Sequence, residues 1–305
     1  MEKWMQLRPA VPGTGFAMEG YFVWCGSVIK ENGIYYLFAA RWPEEKGFPG
    51  GYLTDSEIVL ATTDDLAKPF RFEKVLLTKR DGGYWDSAMQ HNPFIFKKDD
   101  TYILYYIGSP DGGVETRAIG YAWSKSLTDG WQRSDKALAL PPDANNPAVV
   151  QAEDGSFLLY FRDNLCRMSV ARASAFDGPY TVEKFNLFPR GAVEDMYVYK
   201  TADGYGMIAE DCNGVYTGLG KGGVHFSSRD GVNWDEDRAS QTYDFNLEYT
   251  DGTSLLLQRR ERPVLFRDGE KLYLISTAKC GGPDQWSGGR TWNMVQEIES
   301  IRDAF

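Results

Sequence analysis

The residues best able to do chemistry are acidic, and they recur at one kind of place, just ahead of a strand that opens a hairpin. Glu194 and Asp195 precede MYVYK, Glu261 precedes RPVLF, and Asp86 lies in GGYWDSAMQHNP, a Gly- and aromatic-flanked loop before another such strand. The matching positions elsewhere hold Trp24 with Cys25, His91 with Asn92, and Asn145 with Asn146, while Arg262 follows Glu261. Carboxylates, amides, a histidine and an arginine bind hydroxyls and move protons. Asn92 and Asn146 precede Pro and serve equally as turn formers. Glutamate is a poor turn former, so Glu194 and Glu261 point more directly to chemistry.

Cleaving a glycosidic bond needs such a set: one carboxylic acid protonates the leaving oxygen, and one carboxylate activates water or attacks carbon. Glu194 is the expected acid, with Asp195 and Asp86 close enough to raise its pKa by like-charge repulsion. Asp86 or Glu261 is expected opposite it. Asp86 also reads as a surface turn residue, and Glu261 as the ion-pair partner of Arg260 or Arg262. Trp24, Trp42, Tyr84 and Trp85 suit stacking on a sugar ring, or core packing. His91 and His225 are the only histidines. Either suits donation to a sugar hydroxyl or binding of an ion, but without paired spacing no metal site is expected.

These residues need a scaffold that brings remote segments together, and the chain carries one theme five times. A polar or Pro-containing lead-in opens an alternating apolar strand, a turn with Gly, Asp or Asn follows, and an aromatic-rich strand returns. The copies are WCGSVIKENGIYYLFAA from Trp24, HNPFIFKKDDTYILYYIG from His91, NNPAVVQAEDGSFLLYF from Asn145, VEDMYVYKTADGYGMIAED from Val193 and ERPVLFRDGEKLYLISTA from Glu261. Each predicts a β-hairpin. A third strand follows four of them, as in SEIVLATTDDLAKPF and RAIGYAWSKSLTDGW. The copies recur about every 50–65 residues without intervening helical periodicity, which favours an all-β, five-bladed β-propeller over a sandwich.

One propeller is expected to span residues 1–305, closed by the two chain ends sharing a blade, which leaves fewer strand edges exposed. The tail TWNMVQEIESIRDAF reads as a strand or as a short amphipathic helix. Strands that open near one end of a central channel would bring their lead-in residues together into one pocket.

The 33 Lys and Arg against 43 Asp and Glu give a net charge of -10, which disfavours nucleic acid as a partner. No stretch reaches ~18 apolar residues, so no membrane span is expected. The start MEKWMQLRPAVPGTG lacks the basic and apolar regions of a signal peptide, which suggests a cytoplasmic protein. Cys25, Cys166, Cys212 and Cys280 form no CxxC pair and read as free thiols. The expected partner is an oligosaccharide or small glycoside. No cofactor is expected, although the channel leaves room for a structural calcium ion.

The whole chain resembles the five-bladed glycoside hydrolases, the group that holds the family 43 arabinofuranosidases and xylosidases and the invertase-like families. The resemblance rests on SVIKENGIYYLF, NPFIFKKDDTYILYY, the turns SKSLTDGW and SAFDGPY, and VEDMYVY. It implies an exo-acting hydrolase in which Glu194, at the family's E-x-P position with Met196 replacing Pro, is the general acid. Where that family carries an Asp before Pro as the base, this chain has Cys25-Gly26. The departure leaves Asp86 or Glu261 as the replacement. Alternatively, the chain is similar to the related mannoside phosphorylases, with Arg41, Arg162 and Arg262 holding phosphate. A third alternative is a sugar-binding propeller without catalysis.

Overall fold

Each of the five alternating segments folds as the hairpin its turn dictates. In the first, Asn32 and Gly33 take φ values of 50 and 81, the left-handed pair that a two-residue turn between twisted strands requires. The computed structural model describes residues 3–302, and it is an all-β five-bladed β-propeller.

Blade I comprises Tyr21–Glu31, Ile34–Pro43, Glu57–Thr63 and Arg71–Leu77, from the axis outward, and blade II Met89–Lys98, Thr101–Ser109, Ala118–Ser124 and Gln132–Arg133. Blade III comprises Asn145–Gln151, Phe157–Arg162, Met168–Ala173 and Thr181–Lys184, and blade IV Val193–Thr201, Gly204–Asp211, Gly222–Ser228 and Ser240–Gln241. A small extra hairpin, Asn246–Glu248 with Ser254–Leu256, leads to blade V.

Blade V closes the ring. Its three inner strands, Arg259–Asp268, Lys271–Cys280 and Arg290–Ile301, come from the C-terminal end of the chain, and its outermost, Met5–Leu7, from the N-terminal end. The tail is therefore a strand, not an amphipathic helix, over its described residues, and 303–305 lie outside them. Blade V buries it on both sides, so its apolar residues need no helical stripe.

The core lies between blades. Phe38 and Leu60 of blade I pack with Leu104 and Tyr106 of blade II, and Val23 and Leu37 with Ile275 and Val295 of blade V. Large side chains of this kind stabilise by about 1.5–3 kcal/mol each when fully buried.

Each innermost strand breaks register at the same place. The shifts fall between Trp24 and Ser27, His91 and Phe94, Asn145 and Ala148, Glu194 and Tyr197, and Glu261 and Val264. At each bulge one non-glycine residue has positive φ: Cys25 at 55, Asn92 at 52, Asn146 at 54, Asp195 at 57 and Arg262 at 54. Such a conformation costs an L-residue roughly 1–2 kcal/mol, least for Asn and Asp. A bulge re-aims a side chain that the strand alone would send into a neighbouring sheet.

Candidate active site

The five bulged residues meet around the axis. The Cys25 thiol donates to Asn92 Oδ1, and Asn92 Nδ2 donates to Asn146 Oδ1. Asn146 Nδ2 then donates to Asp195 Oδ1 at 2.6 Å, and Arg262 Nη1 reaches the same oxygen at 3.1 Å. One residue from each blade thus forms a hydrogen-bonded floor. Asn92 and Asn146 are more than turn formers, because each amide bridges two blades.

Above this floor is a cavity of about 110 Å³, lined by all five blades. At about 10–15 Å³ per water it has room for roughly one sugar ring. Trp24, Trp42, Phe48, Pro49 and Tyr52 form its wall on the blade I side. His91, Asn92 and Arg117 belong to blade II, Asn146 and Arg162 to blade III, Glu194 and Asp195 to blade IV, and Arg259, Glu261 and Arg262 to blade V. A larger, open groove on the outside of blade IV, including Asp203, Arg229, Asp230 and Arg238, gathers none of the lead-in residues.

Acidic and basic groups are interleaved here. Arg162 Nε lies 2.8 Å from Glu194 Oε2, and Arg259 Nε 2.5 Å from Glu261 Oε1. The Lys221 ammonium sits behind, 2.7 Å from Glu210, 3.5 Å from Glu194 and 3.8 Å from Glu261. This shared lysine joins the Glu194 and Glu261 carboxyls in one charged cluster.

The surroundings drive the carboxyls apart. Burial pushes Glu194 up, but Arg162 and Lys221 pull it down harder, to about 2. Burial also raises Glu261, and Arg259 and Lys221 only partly reverse that, with Asp195 and Glu194 repelling its charge. Glu210, fully buried and next to Glu261 and Glu194, is pushed far above the usual carboxylate range. The expected raised pKa of Glu194 is thus corrected: its near neighbours are cations, and Asp86 is not among them. Burial, with Arg262 and Arg117, keeps His91 neutral, and burial likewise keeps the Cys25 thiol protonated.

Seven residues expected at the site do not line the cavity, Tyr84 and Asn145 among them. Cys25 lies in the floor. Asp86 is fully buried at the blade I–II junction, held by Arg80 and Tyr106, each at 2.7 Å. Trp85 packs beside it, over Gly120, where a Cβ would collide with its ring. Arg41 pairs with Glu57 at 2.7 Å and stacks on Tyr21, one strand out from the axis. His225 stacks on Trp4 at the blade IV–V junction and meets the Tyr199 hydroxyl. Glu261 is held by Arg259, not by Arg260 or Arg262. In a strand, residues two apart share a face, whereas Arg260 points into the sheet junction toward Gln296.

Lys221, Glu210, Arg117, Phe48 and Tyr52 were missed by sequence reading because they sit in second and third strands or in loops, outside the repeated lead-in. The loop GFPGGY after blade I's second strand was the one available signal, being Gly-, Pro- and aromatic-rich.

The donor set does not suit calcium. Asp195, Glu210 and Glu261 bring carboxyl oxygens within 4.8 Å of one another, but Lys221, Arg259 and Arg262 stand at ion-pair distance from them and would repel a further cation.

No family model matches the chain, and no curated protein matches it. Solved structures do share its fold. Zg3597, a family 117 glycoside hydrolase produced by the marine bacterium Zobellia galactanivorans, is similar with a TM-score of 0.70 at 14% identity, over 97% of this chain and 90% of that one. CoXyl43, a family 43 β-xylosidase/α-arabinofuranosidase from a compost microbial metagenome in complex with xylotriose, gives 0.66 at 12%, over 96% and 98%. An exo-1,5-α-L-arabinanase from a bovine ruminal metagenomic library gives 0.64 at 13%, over 98% of each chain. These neighbours are glycosidases, and at such identities the likeness establishes the propeller fold.

Proposed function

We propose that this protein is a glycosidase that removes a terminal sugar, with Glu194 and Glu261 as its carboxyl pair. One observation carries the reading: two glutamates from equivalent positions on adjacent blades face one sugar-sized cavity, and their surroundings push their pKa values in opposite directions. Carboxyls tuned apart in this way divide into acid and base.

The division reverses the role expected for Glu194. Held ionised by Arg162 and Lys221, Glu194 is the carboxylate that activates water or attacks the anomeric carbon. Glu261, raised by burial, gives its proton to the departing oxygen. Glu210 lies behind the pair, and as a buried neutral acid it limits the negative charge around Glu261. The cavity closes on a floor instead of opening through the molecule, which suits an exo-acting enzyme that admits one terminal residue.

The test is a panel of aryl arabinofuranosides, xylosides, galactosides, fructosides and uronides, assayed with and without phosphate. Hydrolysis of at least one without phosphate is expected, with Glu194→Gln and Glu261→Gln each lowering turnover by about 10²–10⁴-fold. Azide should rescue Glu194→Ala by attacking the anomeric carbon, while rescuing Glu261→Ala far less. Turnover that requires phosphate would make the protein a phosphorylase, and saturable binding without turnover a sugar-binding propeller.

A further inference from the structure

Among the described residues, Arg117 is the one cation lining the cavity with no carboxyl group at ion-pair distance. Four arginines face the space against three carboxyl groups, and three contacts account for themselves: Arg162 with Glu194, Arg259 with Glu261, and Arg262 with Asp195. Arg117 is left over. Only 9% exposed, it has no acidic side chain at ion-pair distance among the described residues, and Glu194 and Asp143 act on it only from farther away.

Its partners are all neutral. Nε donates to the Val114 carbonyl at 3.1 Å, Nη1 to the Tyr52 hydroxyl at 3.1 Å, and Nη2 to Asn164 Oδ1. A guanidinium has five N–H donors. These three bonds leave one N–H on each terminal nitrogen to donate to the oxygens of a carboxylate or sulfate. The three contacts come from separate elements: Val114 in blade II, Tyr52 in the blade I loop and Asn164 in blade III. The side chain is therefore fixed before any ligand arrives. Burying an unpaired cation is costly, so a site that keeps one is built for an anion.

We propose that the sugar bound in this cavity is acidic, carrying a ring carboxylate or a sulfate ester that Arg117 reads. This rests on the glycosidase reading for turnover but not for binding. An anion on the sugar supplies the charged partner that Arg117 lacks. A neutral sugar would leave Arg117 desolvated and unpaired, so discrimination arises as much from the penalty on neutral sugars as from attraction to acidic ones.

Calorimetric titration of the full chain with galacturonate, glucuronate and galactose 6-sulfate, against galactose, glucose and inorganic phosphate, tests the proposal. At least one acidic sugar should bind about 10–100-fold more tightly than its neutral counterpart, the scale of a charge-assisted contact. Arg117→Gln should erase that preference, and Arg117→Lys, which keeps the charge but loses the fork, should retain part of it. The lysine variant guards against a glutamine variant that folds poorly. Equal affinity for acidic and neutral sugars would overturn the proposal, as would tighter binding of phosphate alone than of any acidic sugar. Turnover of neutral aryl glycosides with no preference for uronides would sink the acidic substrate and leave hydrolysis standing. Tight binding of an acidic sugar without turnover of any glycoside would do the reverse.

Discussion

Glu194 and Glu261 show how one glutamate becomes a carboxylate and another an acid through neighbours alone. The charge on Glu194 stabilises the fold: its folded pKa of about 2 lies below the ordinary 4.5, so the contribution is fully present above that ordinary value. It is lost as pH falls from about 4.5 toward 2, and at 1.36 kcal/mol per pKa unit it amounts to about 3 kcal/mol. Glu194→Gln should flatten this part of an acid-denaturation curve, and a curve of unchanged slope would argue against the ion pairs described. Activity should show the complementary dependence. With Glu194 ionised and Glu261 protonated, kcat/KM should fall as pH rises through the raised pKa of Glu261, with a midpoint above 4.5. A rate that climbs with pH across that region would assign the proton elsewhere. The sequence announced both residues, since glutamates at lead-in positions have no turn-forming purpose. It did not announce their charge states, which depend on Arg162, Lys221 and Arg259 arriving from three different blades.

At the scale of the strand, the bulge converts a repeated sequence position into a ring. The hairpins were legible because alternation and Asn-Gly or Asp-Gly turns are local signals. The bulges were visible only as Asn before Pro, a pattern that turn formation explains equally well. Asp86 was misplaced for a related reason: a Gly- and aromatic-flanked loop reads as solvent-facing, whereas Gly108 and Gly120 make room for Trp85 to bury it. Asn146 offers a test of what the bulge requires, because its φ of 54 and its bonds to Asn92 and Asp195 are separable. Asn146→Gly removes the bonds and keeps the backbone comfortable. Asn146→Val removes the same bonds and adds left-handed strain, so it should be less stable than the glycine variant by roughly 1–2 kcal/mol in chemical denaturation. Both should lose activity to a similar degree, since each leaves Asp195 held by Arg262 alone and breaks the floor between blades III and IV. Equal stabilities would mean that the bulge relaxes when its side chain goes.

Over the whole molecule, the two ends of one axis are unlike. The far mouth is a cavity of about 310 Å³ with Val28, Ile95, Val150 and Leu265 among its lining, while the charged cavity occupies the end where the strands begin. Five blades with the same alternation produce this polarity, because polar residues are confined to the lead-ins and apolar ones follow. That much could be read from the repeat. The partner of Arg290–Ile301 could not be read locally, since Met5–Leu7 lies nearly the whole chain away. Closure at this seam holds the site together: Met5 is 1% exposed and packs with Leu272, Leu274 and Ile298, and the Trp4 N–H donates to the Gln241 carbonyl of blade IV at 2.7 Å. Glu261 is on blade V and Glu194 on blade IV, so loosening the seam moves one carboxyl against the other. Met5→Ala should cost about 2–5 kcal/mol, the usual range for emptying a buried methionine site. Removing residues 1–7 should do more, exposing the edge of Arg290–Ile301 and promoting association between copies. Denaturation midpoints and light scattering would check both. A truncated chain that stayed monomeric and equally stable would show that the ring closes without its N-terminal strand.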